Sequence, residues 1–502
     1  MFTLLDWIVL VAFFVFSLLV GLWVSRPSRE NKNFKDYMFG GGKIPWVAVG
    51  ISLIATSVSA TTFLGAPADV YGADMRFLMF QIGGFLSIVV VGIVFIPRFR
   101  KANIQSAYEL FERSFSPSVR RLAAIFYCLH LLLRTGILLY APALVISKIL
   151  DCNLYVAILI TAVLAIIYTW FGGIKAVIWT DVLQFFVFFF GGVLVLYLVA
   201  KSCGGFAVMA DLASQAGKTK WFDPSLSPAL DRTLISAGFA YAVLEIAIRG
   251  CDQQFVQRYL SCKSPKAANA SSILSMVLGA VISILFYWVG AALFVFYKVK
   301  NVAPLPDSVG QNEVFPHFIV NALPQGITGL IVAAICAAAM SSLSSAINSL
   351  SNTTENDLLL ADTSSEKSLR RAKVWTILWG LLGIGGAFFA AAQQGSLLKS
   401  ALFFTGLFTG PLLGMFILAF FAGKMLPKTV IAGVFCGMFS LFLFQGIKPL
   451  GIDPLFENVL SWPWMPLISM SATIVSALVL NFIFKESCPL VLDRMLKKVI
   501  EG

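Results

Sequence analysis

Long apolar runs separated by short polar ones set the pattern of this chain. Thirteen stretches read as membrane-spanning helices: residues 4–25, 44–70, 76–96, 119–149, 153–171, 176–200, 233–257, 270–297, 326–352, 374–394, 400–423, 429–446 and 464–484. Pro97, Pro265 and Pro324 punctuate span ends. No low-complexity linker or soluble segment intervenes, so residues 1–502 read as one transmembrane domain. The first stretch lacks a basic leader and reads as a span rather than a signal peptide. The longest outer loops are 201–232 and 298–325. Within the second, 314–323 is apolar enough to lie on the membrane or cover an outer vestibule, with an ordinary packed loop as the alternative. The basic tail, 485–502, is expected at the lipid headgroups.

Two stretches are not plain apolar rods. Residues 51–65 read ISLIATSVSATTFLG and residues 337–351 read AAAMSSLSSAINSLS. Small hydroxyl residues favour close helix packing. One such segment early and one late also fit interrupted helices of an inverted-repeat transporter, whose freed carbonyls and hydroxyls bind ions near the midplane.

Composition narrows the class. Hydrophobic residues make up 59% and charged residues 12%, about half the charge of a soluble domain. The net charge of +12 could signal nucleic-acid binding, but its distribution answers that. If the first loop, with Lys35 and Lys43, is cytoplasmic, loops on that side carry 25 of the 37 basic residues, and the opposite side carries 10. The excess is topological, nucleic acid is excluded as a partner, and the odd span count puts the N-terminus outside and the C-terminus in the cytoplasm. Eight Cys without a CxxC pair imply no disulfide framework.

Charges within spans cost about 2.5–3.5 kcal/mol each on insertion scales, so each needs a partner or a task. They are Arg134, Asp181, Glu245, Arg249 and Asp252. Glu245, Arg249 and Asp252, at i, i+4 and i+7, either neutralise one another or let Arg249 or Asp252 reach a substrate cavity. Asp181 has no basic neighbour one turn away on its helix, and a sodium ion suits it as a hard cation for oxygen ligands. His130 and His317 lack the clustered partners of a zinc site. Gly217-Lys218-Thr219 mimics the end of a phosphate loop, but Leu212 stands where its first glycine belongs. Nothing supports an enzyme or an ATP-driven pump, and no obligate protein partner is evident.

Several segments together resemble the sodium:solute symporter family. They are residues 39–42 (FGGG), 59–67 (SATTFLGAP), 140–144 (YAPAL), 168–181 (YTWFGGIKAVIWTD), Asp252-Gln253 with 256–259 (VQRY), 338–345 (AAMSSLSS) and 410–414 (GPLLG). The resemblance implies an all-α polytopic membrane protein of the LeuT-type inverted-repeat fold, with about 13 helices. It places core repeats at about 44–200 and 233–423 and peripheral helices at 4–25, 429–446 and 464–484. It implies a common sodium site on the Ala55 and Val58 carbonyls, Ala338, Ser341 and Ser342. A second, found in some members, would use Asp181, Ser341, Ser344 and Ser345, so one or two Na+ ions are co-transported.

In the sialic acid branch of the family, an arginine of the fourth span meets the substrate carboxylate, and Arg134 matches it. Ser57, Ser59, Thr62, Phe77 and Gln81 match other pocket positions. The YAPAL stretch looks more like the iodide, vitamin and monocarboxylate branch. The resemblance therefore implies sodium-driven uptake of a small organic anion, sialic acid or a related sugar acid, across a plasma membrane such as the bacterial inner membrane. Monocarboxylates, vitamins or neutral sugars are the alternatives, with a passive anion channel as the reading from another class.

Overall fold

The computed structural model describes residues 2–24, 34–58, 60–363, 365–392, 397–445 and 459–484. Among these the chain is helical, with no β-strand. Apolar sequence in a bilayer leaves the backbone this solution, because every amide must find its partner within its own segment. Ten helices are long and apolar enough to cross a membrane. An eleventh span is the bent pair made by Trp46–Ser57 and the helix that ends at Gly72, turned by 59°. Leu397–Ile417 and its continuation through Ala422 add another.

The helix Leu154–Ser202 holds two spans. At about 1.5 Å per residue it is too long for one crossing. It breaks at Gly173, whose backbone sits at φ 54°, ψ −142°. A Cβ there would meet the Tyr37 carbonyl oxygen at 2.2 Å. Tyr37 braces the break: its hydroxyl donates to the carbonyls of Thr169 at 3.0 Å and Trp170 at 3.2 Å, just before Gly173. Dividing this helix yields the thirteen spans expected from the sequence.

The second and seventh spans are each discontinuous. The second ends its first half at Ser57 and passes through extended backbone at Val58. The seventh stops at Cys251, turns at Asp252 (φ −75°, ψ 125°) and resumes as Gln253–Ser261. Breaks five spans apart are what paired inverted repeats produce. The ninth span, Ile327–Thr353, runs unbroken and is buried along nearly its whole length. The expectation that 337–351 forms the second interruption is thereby corrected. Several of its hydroxyls bond to carbonyls of their own helix, as Ser342 does to Ala338 and Ser344 to Ser341, so the helix keeps its ladder while packing closely.

The first span, Leu4–Val24, docks on the fifth-to-sixth helix and on the ninth span. Asp6 fixes it there, accepting from the amides of Gly326 at 2.7 Å and Gly329 at 2.8 Å and so capping the ninth span from another helix. The segment 314–323 contains a helix, Val314–Asn321, that packs on the second span, with Phe315 stacked on Phe63 at 5.3 Å.

Candidate functional site

The break in the second span supplies the first feature. A helix end leaves its last carbonyls without intrahelical partners. The Ala55 carbonyl accepts from the hydroxyl of Ser341 on the ninth span at 2.9 Å. Ala55, Val58, Ala338 and Ser341 line one narrow cavity with Gln184 of the sixth span. Ser342 sits one position on, its hydroxyl bonded at 3.1 Å to the Ala338 carbonyl. The structure thus brings four of the five residues expected at the common sodium site to one cavity, with Ser342 next to Ser341 on the same helix.

Asp181 lies beside that junction and is fully buried. Its Oδ2 accepts from Ser52 at 2.5 Å and from Arg258 at 3.0 Å. The expected absence of a basic neighbour holds on its own helix but fails in space, because Arg258 arrives from the far half of the broken seventh span. Arg258, also fully buried, further donates to Ser345 at 2.5 Å, to Ser52 at 2.8 Å and to the Gln254 carbonyl at 2.9 Å. Thr56 lies 3.0 Å from Ser345, and Tyr168 donates to the Met340 carbonyl at 3.2 Å. Ser341 faces the same carboxylate. Among the described residues, Asp181 Oδ1 and both amide heteroatoms of Gln184 are buried without a hydrogen-bond partner. Buried polar atoms left unpaired are costly, and two of these, Asp181 Oδ1 and Gln184 Oε1, are acceptors that with the hydroxyls of Ser341, Ser344 and Ser345 offer oxygen ligands suited to a small hard cation.

Arg134 sits half-buried on the fourth span, Pro117–Leu150. It makes no hydrogen bond or close ion pair among the described residues, and its guanidinium acts electrostatically on Asp252. Asp252 belongs to the break rather than to a continuous helix. It caps the next helix by accepting from the Gln254 amide at 2.8 Å, and it accepts from Tyr127 at 3.0 Å. Tyr127 in turn lies 2.9 Å from Ser349. The stripe expected at Glu245, Arg249 and Asp252 therefore divides. Arg249 pairs with Glu245 at 2.6 Å and reaches Ser275 at 3.3 Å, while the backbone turn at Asp252 carries its carboxylate to the fourth span.

The remaining pocket candidates lie elsewhere along the second and third spans. Ser57 bonds to the Leu53 carbonyl at 3.1 Å at the end of the first half-helix, and Thr62 is half-buried in the second. Gln81 donates to Ser283 of the eighth span at 3.0 Å. Phe77 packs on Phe80 at 4.3 Å, with the Arg232 guanidinium 5.5 Å from its ring. Ser59 falls outside the described residues. No direct contact joins Arg134 to Phe77 or Gln81 among the described residues.

Sequence reasoning missed Arg258, Ser52, Tyr127 and Gln184. Arg258 carries a signal, since it stands in the VQRY stretch, but it lies one residue beyond the seventh span as the sequence bounds it, 233–257.

The model of the sodium:solute symporter family matches residues 37–438. The chain is 33% identical over 453 residues to the sodium/sialic acid symporter SiaT of Proteus mirabilis (strain HI4320), covering 87% of this chain and 88% of that one. It is 31% identical over 466 residues to sodium-coupled monocarboxylate transporter 1 of Mus musculus, covering 91% and 76%. The fold matches a solved Na+-coupled sialic acid symporter, described as substrate-bound, outward-open and revealing a novel Na+-site. That match has a TM-score of 0.84 and 31% identity over 96% of this chain and 99% of the other.

Proposed function

The chain belongs to the sodium:solute symporter family, and on that premise we propose that it imports a carboxylated sugar of the sialic acid class together with sodium. It is a multi-pass membrane protein and a transporter, with sodium as the coupling ion. The observation that carries the site assignment is the Ser341 hydroxyl set 2.9 Å from the Ala55 carbonyl across the break of the second span. We assign one sodium to the Ala55 and Val58 carbonyls, Ala338, Ser341 and Ser342. A second falls to Asp181, Ser341, Ser344 and Ser345, where it shares its carboxylate with Arg258. Arg134 receives the substrate carboxylate, and its planar fork suits bidentate pairing. Ser57, Thr62, Phe77 and Gln81 line the pocket, with Arg249 and Asp252 towards its far side. The core repeats are 44–200 and 233–423.

The cycle follows from these placements. Sodium at the common site ties the second span to the ninth and holds the pocket in its binding shape. Substrate joins, and the bundle carrying the two broken helices rocks against the remaining spans. Two cations with one anion move one net positive charge per cycle, worth about 2.3 kcal/mol per 100 mV. The basic loops face the cytoplasm of a cell bounded by a plasma membrane of the bacterial inner-membrane kind.

Binding calorimetry of sialic acid in sodium chloride and in choline chloride tests the reading. Binding in sodium alone supports it. Equal binding in both salts, or preference for a short monocarboxylate, refutes it.

A further inference from the structure

The third span ends in two arginines with different fates. Arg100 spans to the carbonyls of Leu260 and Cys262 and so ties off the far half of the seventh span. Arg98, half-buried, makes one hydrogen bond among the described residues, to the Val94 carbonyl one turn back at 2.9 Å. No carboxylate among the described residues pairs with it. Its guanidinium instead lies over the rings of Phe420 and Phe421, 5.1 Å from each centroid, at the end of the eleventh span.

Directly beside those rings is a wholly apolar crevice of about 380 Å³ between the third, seventh, eleventh and thirteenth spans. Val94, Val243, Ile246, Phe420, Phe421 and Met470 are among its walls, and all six are partly exposed. On its flank Val89 and Ile93 of the third span are 56% and 70% exposed, the signature of a face turned to acyl chains. The crevice therefore opens sideways into the bilayer, with a cation above it at the level where spans end.

We propose that this crevice is a binding site for one anionic phospholipid, with the phosphate on Arg98 and an acyl chain between the third, seventh and eleventh spans. Charge complementarity selects the headgroup. A guanidinium has five donors in a planar fork; one is used by Val94, the aromatic rings shield one face, and the rest meet no acceptor among the described residues. A half-buried cation at the membrane edge gains from a counter-charge, and a phosphate diester at headgroup depth supplies one with bidentate geometry. The apolar walls select a chain-bearing anion over a soluble one. A lipid seated here contacts the near half of the broken seventh span, so it couples membrane composition to the element that moves. The proposal needs the protein to be a membrane protein and does not depend on which solute it carries.

The test uses the full-length purified protein stripped of lipid in detergent. Native mass spectrometry counts bound phosphatidylglycerol and phosphatidylcholine of identical chains. One basic contact near the surface predicts about a five-fold preference for phosphatidylglycerol at the first bound lipid. Arg98→Gln removes that preference and leaves weak binding of both lipids. Val243→Phe fills the crevice and weakens both. Lys101→Gln, at an exposed neighbour, leaves the preference intact. Equal binding of the two lipids by the wild type overturns the proposal without any variant, as does an Arg98→Gln protein that keeps the five-fold preference.

Discussion

Replacing Arg258 with Met tests how the buried carboxylate at the centre of the bundle is balanced. Asp181 and Arg258 are both fully buried, 3.0 Å apart, and Arg258 also holds Ser52 and Ser345. Removing one member of such a pair costs about 3–5 kcal/mol, because the other charge stays in a low-dielectric interior without a partner. Met replaces most of the volume, so the lost charge accounts for most of the effect. In the Arg258→Met protein, sodium becomes the available counter-charge. A ligand present at 100 times its dissociation constant stabilises the folded state by about 2.7 kcal/mol. Sodium should therefore restore half or more of the lost stability, and the difference between melting in sodium chloride and in choline chloride should widen well beyond that of the wild type. Adding Asp181→Asn removes the orphaned charge, so the double variant should recover stability in choline and lose the added sodium response. Thermal melts of purified protein at matched ionic strength make the comparison. If Arg258→Met responds to sodium no more than the wild type, or the double variant keeps the response, Asp181 is a structural partner of Arg258 and holds no ion.

Ser342→Ala is expected to raise the sodium concentration for half-maximal transport several-fold at normal expression, read from uptake against sodium titration, since it removes one hydroxyl from the junction. Arg134→Lys keeps the charge but loses the fork; calorimetry should show substrate binding sharply weakened, while the sodium-dependent melting shift persists. Should Arg134→Ala instead collapse expression and Asp252→Asn restore it, the arginine serves Asp252 rather than the substrate. Gly173→Ala forces a Cβ to within 2.2 Å of the Tyr37 carbonyl and fixes a side chain on a positive φ, so loss of folded protein by size-exclusion chromatography is expected.

Much of this architecture was readable in the chain, and the parts that were not share a cause. The spans follow from apolar run length, and the break near Val58 follows from crowded Ser and Thr in 51–65. The second break escaped because Glu245, Arg249 and Asp252 satisfy helical spacing. Spacing describes a helix only where the helix continues, and Asp252 is a residue that caps helices as readily as it occupies them. The hydroxyl-rich 337–351 shows the converse. The same residue types that signal a break can instead bond to their own helix and let neighbours approach. Asp181 looked unpartnered because local sequence reports on one turn of one helix, whereas Arg258 is 77 residues away and is brought to it by the turn at Asp252.

The central claim is that sodium flow drives uptake of a carboxylated sugar. Purified protein in liposomes, loaded with an inward sodium gradient and an inside-negative potential, measures it directly with labelled sialic acid. The account predicts accumulation above the external concentration, abolished when choline replaces sodium and accelerated by the potential, because a net positive charge enters with each molecule. Uptake that only equilibrates, and does so equally in choline, contradicts the account and describes a passive pore.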